Sequence, residues 1–232
     1  MRKYLDKGFK RLAKELLNQA NHRYFHPKRL LLEQAQRESA DYARESMRDA
    51  MVFERREEIF DLALSRMPDS GMIIEAGVAH GDSINYIAKQ TQRTNHGFDS
   101  FEGLPEDWPG RHEPKGHYST HGRLPKVPQN VKLHKGLFEL TLSPFLEQEE
   151  GPIALLHVDC DLYSATKTVL GSLAHRLQNG SVIIFDEYFN FIGWQEHEFR
   201  AFREFIAETN FEYRYIAWSY QQAVVIIESK EP

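Results

Sequence analysis

The chain has 232 residues, is 41% hydrophobic and carries 29 Lys/Arg against 34 Asp/Glu, which is enough for one sizeable core and short for two. Its single cysteine, Cys160, excludes an internal disulfide framework, and no apolar run is long enough to read as a membrane-spanning helix. Residues 1–32 hold nine Lys/Arg and two Asp/Glu, whereas the rest sums to −12; so acidic a body repels phosphate, and nucleic acid is not an expected partner.

In chain order, MRKYLDKGFKRLAKELLNQA sets Leu5, Phe9, Leu12, Leu16 and Ala20 at helical spacing among basic side chains, which predicts an amphipathic helix ending before Pro27. Its stripe is expected to dock on the body or on a second subunit of a homo-oligomer, with peripheral contact to an anionic membrane as the alternative. No signal-peptide pattern precedes it, so a cytoplasmic setting is expected. A second helical stretch over 33–66 completes an N-terminal helical extension, 1–66, ahead of a domain spanning 67–232.

From Met72 the pattern changes to short β-rich runs. Strands are predicted at MIIEA (from Met72), HGF (His96), VKLH (Val131), IALLHV (Ile153), SVIIF (Ser181), EYRYIAW (Glu212) and AVVIIE (Ala223), with helical stretches from about Ser83, Ser164 and Glu196. This alternation implies an α/β fold with a doubly wound, mostly parallel, seven-stranded sheet. Only SYQQ separates the last two strands, too few residues for a parallel crossover, so the last strand is reversed in a hairpin.

Ligands of such sheets lie beyond the carboxyl ends of the strands. The first strand runs into EAGVAHGDS, where Gly77 and Gly81 stand four apart with no third glycine; this departs from the dinucleotide pattern G-x-G-x-x-G and argues against a nicotinamide oxidoreductase. Asp99 ends the second strand, where an acid commonly accepts from ribose hydroxyls. An adenosine-containing ligand without a pyrophosphate fits both, and S-adenosyl-L-methionine is such a ligand. Asp159 and Asp161 end the strand in LLHVDCDLY, and Asp186 and Glu187 end the next in SVIIFDEY. On neighbouring strands these four carboxylates would share a rim, raising one another's pKa unless a hard divalent cation, or bases such as Lys167 or Arg200, offset them. His157, in an apolar strand, reads as a core residue or a proton acceptor. The long segment between Glu102 and Val131 reads as a substrate cover, and Tyr188, Phe191 and Trp194 as pocket lining or core.

The segments IIEAGVAHGDSINYIA, GFDSFEGLPEDW, LHKGLFELTL, LLHVDCDLYSATKTVL and VIIFDEY resemble the macrocin O-methyltransferase family of class I S-adenosylmethionine-dependent enzymes. The resemblance implies the Rossmann-like methyltransferase sandwich and methylation of hydroxyls on sugars or small natural products, often with Mg2+. It implies that Glu75, Gly77, Gly81, Asp82 and Ser83 surround the methionine part of the cofactor, that Asp99 and Ser100 face the ribose, and that Gly136 and Phe138 lie near the adenine. It further implies Asp159, Asp186 and Glu187 as metal ligands; the chemistry of methyl transfer to a hydroxyl also needs a carboxylate or imidazole to take the proton, for which Asp159, Asp161 and His157 are the candidates. The chain departs from the family's usual Asp-Asp-Tyr at Asp186-Glu187-Tyr188. A metal-independent N-methyltransferase and a non-catalytic binding or scaffold protein of the same fold are the alternatives.

Overall fold

The computed structural model describes residue 8, residues 10–18 and residues 26–229; Leu5, Phe9 and Ala20 of the predicted stripe lie outside them. Helix α1 covers residues 10–18, and there Leu12 and Leu16 are 56% and 59% exposed, so the described part of the stripe faces away from the body.

The single helical stretch expected over 33–66 is two helices with a strand between them. Helix α2 (Pro27–Ser46) starts with proline in its first turn and His26 Nδ1 accepting from Lys28 N at 3.0 Å, a position where a missing N–H costs nothing. It ends at buried Met47. Strand β1 (Met51–Val52) then joins the sheet beside β7, and helix α3 (Arg56–Arg66) follows. Tertiary pairing with the far end of the chain overrides the local helical pattern here. From residue 51 onward the extension is therefore part of the main sheet.

The remaining strands are β2 (Met72–Ala76), β3 (Asn95–Asp99), β4 (Val131–Lys135), β5 (Ile153–Val158), β6 (Val182–Phe185), β7 (Phe211–Trp218) and β8 (Ala223–Ser229). They form one sheet ordered β1-β7-β8-β6-β5-β2-β3-β4, parallel except for β8, which is antiparallel to β6 and β7. All seven predicted strands and the reversed last strand are present. Helices α4 (Asp82–Lys89), α6 (Tyr163–Leu173) and α7 (Glu198–Glu208) match predicted stretches. Helix α5 (Phe138–Gln148) was not read from the sequence; Pro144 lies inside it and interrupts the pattern on which a helix reading rests.

Strand alternation sorts the core onto two faces. Ile74, Leu156, Ile183 and Phe185 pack with residues of α5, α6 and α7, while Ile73, Leu155 and Ile184 pack with Ile59, Phe60 and Ala63 of α3 and Ile87 of α4. Continuing the alternation, Glu75, His157 and Asp186 emerge toward the face that α3 covers. Among the described residues no helix is long and apolar enough to cross a membrane.

Candidate active site

A cleft of about 500 Å³ opens beyond the carboxyl ends of β2, β3, β5 and β6. Its floor is set by a near-collision of two chain segments. Gly77 has φ +93°, and a Cβ there would lie 1.6 Å from the carbonyl oxygen of Asp159, so only glycine fits. Gly77 N donates to Phe98 O at 2.9 Å and Asp159 N to Ala76 O at 2.8 Å. Gly81, φ +85°, caps α4, whose first residue is Asp82. Asp99 fastens the turn: its carboxylate accepts from the backbone N–H groups of Val78 (2.7 Å), Ala79 (2.8 Å) and Phe101 (2.6 Å). Asp82, Ser83, Asp99, Ser100, Gly136 and Phe138 line the cleft. Glu75 does not; it is buried beneath the turn, accepting from Ser83 Oγ at 2.8 Å.

Below the cleft runs a chain of alternating charges. Glu75 and His157 are lateral neighbours on β2 and β5, and His157 Nδ1 lies 3.0 Å from Glu75 Oε2 while its Nε2 lies 3.7 Å from Asp186 Oδ1. The His157 ring meets Phe60 of α3 edge-on at 5.1 Å. Burial works against its charge, but Asp186 and Glu75 overcome that and push its pKa up to about 10, so it is an imidazolium. With its side chain only 1% exposed, it holds the two acids in place and does not reach the cleft. Asp186, whose burial alone would raise it, is held below its ordinary value by His157 and Arg56.

Arg56, at the first residue of α3, closes the chain. Its Nη2 donates to Asp159 Oδ2 at 2.6 Å, and its Nε lies 2.8 Å from Asp186 Oδ1 as an ion pair not directed along the N–H bond. Nothing in FERREEIF distinguishes Arg56 from Arg55, and the sequence reading missed it. Lys167 and Arg200, the bases expected near the acids, both pair instead with Glu204 at 2.8 and 2.9 Å.

On the cleft side stand Asp159, Asp161 and Glu187. Asp161 is held at φ +66° with Leu162 N donating to Cys160 O at 2.6 Å, a classic γ-turn geometry that strains a non-glycine residue. Burial and the charge of Asp186 push Asp159 up to about 7, and burial with the charge of Asp159 pushes Asp161 up to about 8. Burial also raises Glu187 and its neighbour Glu198, which accepts from Glu187 N at 3.1 Å. Arg111, from the long loop, stacks over Trp108 (4.5 Å) and Phe191 (5.0 Å) and lies 3.9 Å from Glu187 Oε1.

The metal set implied by the resemblance is not assembled. Among the described residues the groups whose ligand atoms lie within 4.8 Å of one another are His157–Asp159–Asp186 and Asp159–Asp161–Glu187. The Arg56 guanidinium contacts both acids of the first, and neither group holds Asp159, Asp186 and Glu187 together. The donors do not fit a Mg2+ ion held by Asp159, Asp186 and Glu187.

Tyr188 and Trp194, expected beside the acceptor, are built into an aromatic core. The Tyr188 hydroxyl bonds Tyr215, which bonds Tyr42 of α2 at 2.7 Å, and Trp194 packs on Phe199 at 4.8 Å. Neither lines the cleft; the chain turns after Glu187 so that these rings point under α2 and α7. Leu104 and Tyr118 of the long loop do line it, and no spacing in the sequence marks them.

A family model described as a methyltransferase domain matches residues 74–188, which span β2 to the end of the carboxylate rim. Among solved structures, the chain is similar to the calicheamicin methyltransferase CalS11, 24% identical over 74% of this chain and 80% of that one, with a TM-score of 0.62. An apo structure of CalS11, described as a TDP-rhamnose 3'-O-methyltransferase of calicheamicin biosynthesis, is 25% identical over 74% and 81%, with a TM-score of 0.55. The O-methyltransferase NovP is 20% identical over 75% and 80%, with a TM-score of 0.56. No curated protein sequence matches the chain. Fold and cleft together define the class I methyltransferase architecture. More particularly, the protein is a methyltransferase enzyme; the macrocin type stays a resemblance of its motifs.

Proposed function

We propose that the enzyme methylates a hydroxyl of a sugar or of a small natural product. The observation that carries this reading is the carboxylate of Asp159 in the same cleft as the cofactor turn, fixed there by the contact of its backbone with Gly77. The sulfonium methyl is already activated, so the protein has to align an acceptor oxygen with it and remove the hydroxyl proton as the C–O bond forms. The carbon–sulfur bond breaks, S-adenosylhomocysteine leaves, and the proton goes to the base. A carboxylate near 7 is matched to that task at neutral pH. Asp161 and Glu187, both raised by burial and neighbouring carboxylates, stand beside it as hydrogen-bonding groups for the acceptor. His157 positions Glu75 and Asp186 and touches no substrate. The long loop, with Leu104, Tyr118 and Arg111, covers the acceptor. Magnesium enters no step. The 25% identity to an enzyme described as acting on a TDP-sugar hydroxyl agrees with this acceptor class.

The test is incubation with S-adenosylmethionine and a panel of glycosides, nucleotide sugars and phenols, with the position of the new methyl group assigned by NMR. Methyl on oxygen is expected; methyl on nitrogen overturns the reading. Asp159→Asn should lower kcat by about 10²–10⁴-fold while S-adenosylhomocysteine affinity stays within about threefold, and an unchanged kcat removes Asp159 as the base.

A further inference from the structure

The carboxylates that resemblance gives to a divalent ion already have a cation of the protein's own. We propose that the Arg56 guanidinium is the resident cation of the rim, standing between Asp159 and Asp186 where an ion would stand and making the site independent of divalent metal. Arg56 is a positioning residue: it fixes the Asp159 carboxylate against the cleft and engages the Asp186 oxygen that a divalent ion would need.

Three observations converge on this assignment. The two contacts, 2.6 Å to Asp159 Oδ2 and 2.8 Å to Asp186 Oδ1, engage one oxygen of each acid, and a planar fork of five donors is suited to bridging two carboxylates in this way. Arg56 starts α3, where the positive end of the helix dipole opposes a cation; helix formation alone does not favour arginine there, and two carboxylates do. Its guanidinium is further fixed 5.2 Å from the ring of Phe60, one turn along the same helix, and Phe60 in turn packs on His157. Arg56 is also part of the cleft wall.

The inference rests on the methyl-transfer reading only for the location of the acceptor, and Mn2+ binding followed by electron paramagnetic resonance tests it without acceptor or cofactor. The wild-type protein is expected to bind no Mn2+ that depends on Asp159. Arg56→Ala should gain a bound Mn2+, at least about tenfold tighter than wild type, and Asp159→Asn in that background should remove it. Arg56→Lys, which keeps a charge, should exclude the ion again. S-adenosylhomocysteine binding verifies that each variant is folded. One Mn2+ bound to the wild-type protein and lost in Asp159→Asn overturns the proposal, and that measurement needs no Arg56 variant. A folded Arg56→Ala that gains no ion overturns it equally. With an acceptor in hand, EDTA is expected to leave wild-type turnover unchanged, and a loss restored by Mg2+ overturns it.

Discussion

Asp99 accepts three backbone hydrogen bonds from the turn it faces, so its carboxylate shapes the wall of the cleft. Charge-assisted bonds of this kind contribute about 1.5–3 kcal/mol each when measured by removal. Asp99→Ala is therefore expected to lower both unfolding free energy and S-adenosylhomocysteine affinity; calorimetry showing loss of affinity with unchanged stability would confine Asp99 to the ligand. His157 behaves differently. Replacing it with Phe leaves Glu75 and Asp186 buried without their shared cation, and breaking such a group costs about 3–5 kcal/mol, which denaturant unfolding would register. Residues at strand ends were legible because period-2 alternation and glycine spacing mark them in any α/β sequence. Arg56 was not, because it reaches Asp159 across 103 positions from another element and no local pattern encodes that pairing. The turn-fastening role of Asp99 was hidden for a related reason: it depends on where backbone N–H groups point, which residue types alone do not state.

At the level of elements, the three tyrosines of β7, α2 and the post-β6 segment, Tyr215, Tyr42 and Tyr188, link hydroxyl to hydroxyl and tie α2 to the sheet. Tyr188→Phe should lower stability by about 1 kcal/mol and leave the acceptor KM unchanged; a raised KM would return Tyr188 to the pocket. Gly77 joins β2 to β5 with no room for a methyl group, and Gly77→Ala is expected to abolish S-adenosylhomocysteine binding even where the protein remains soluble. The elements that the sequence disclosed were those whose burial pattern repeats: five- or six-residue apolar strands and amphipathic α4 and α7. Strand β1 has two residues, both exposed, and carries no pattern at all; it exists because β7 offers it a partner edge.

For the whole molecule, pH acts through the raised groups. Asp159 and Asp161 rise from 3.8 to about 7 and about 8, so the folded state keeps protons that the unfolded chain has released. Their contribution is fully present below the unfolded pKa and is lost as pH climbs through the folded values. His157, raised from 6.5 to about 10, has the same sign at higher pH, and Asp186, lowered, opposes it only in acid. Tm measured in EDTA is expected to fall from about pH 5 to about pH 9, and Asp161→Asn should flatten the portion below about pH 8; a Tm rising across this window contradicts the assignment. Residues 1–32 carry +7 against −12 for the rest, and Leu12, Leu16 and Leu17 are exposed; the prediction is that this stripe docks on a second copy's acidic body. Deleting residues 1–25 should lower the mass seen by light scattering, whereas unchanged mass with salt-sensitive binding to anionic vesicles identifies a membrane surface instead. The sheet's two borders differ in how they resist unwanted association. β4 presents Lys132 and Lys135, charges that discourage another strand from adding on. At the opposite border the eight residues of β7 are covered by β1 only at Ala217 and Trp218, with Glu212 and Arg214 along the uncovered part. β1 is thus a gatekeeper against edge-to-edge stacking: an in-frame deletion that removed it would free the apolar end of β7 as a template for aggregation while leaving most of the core intact.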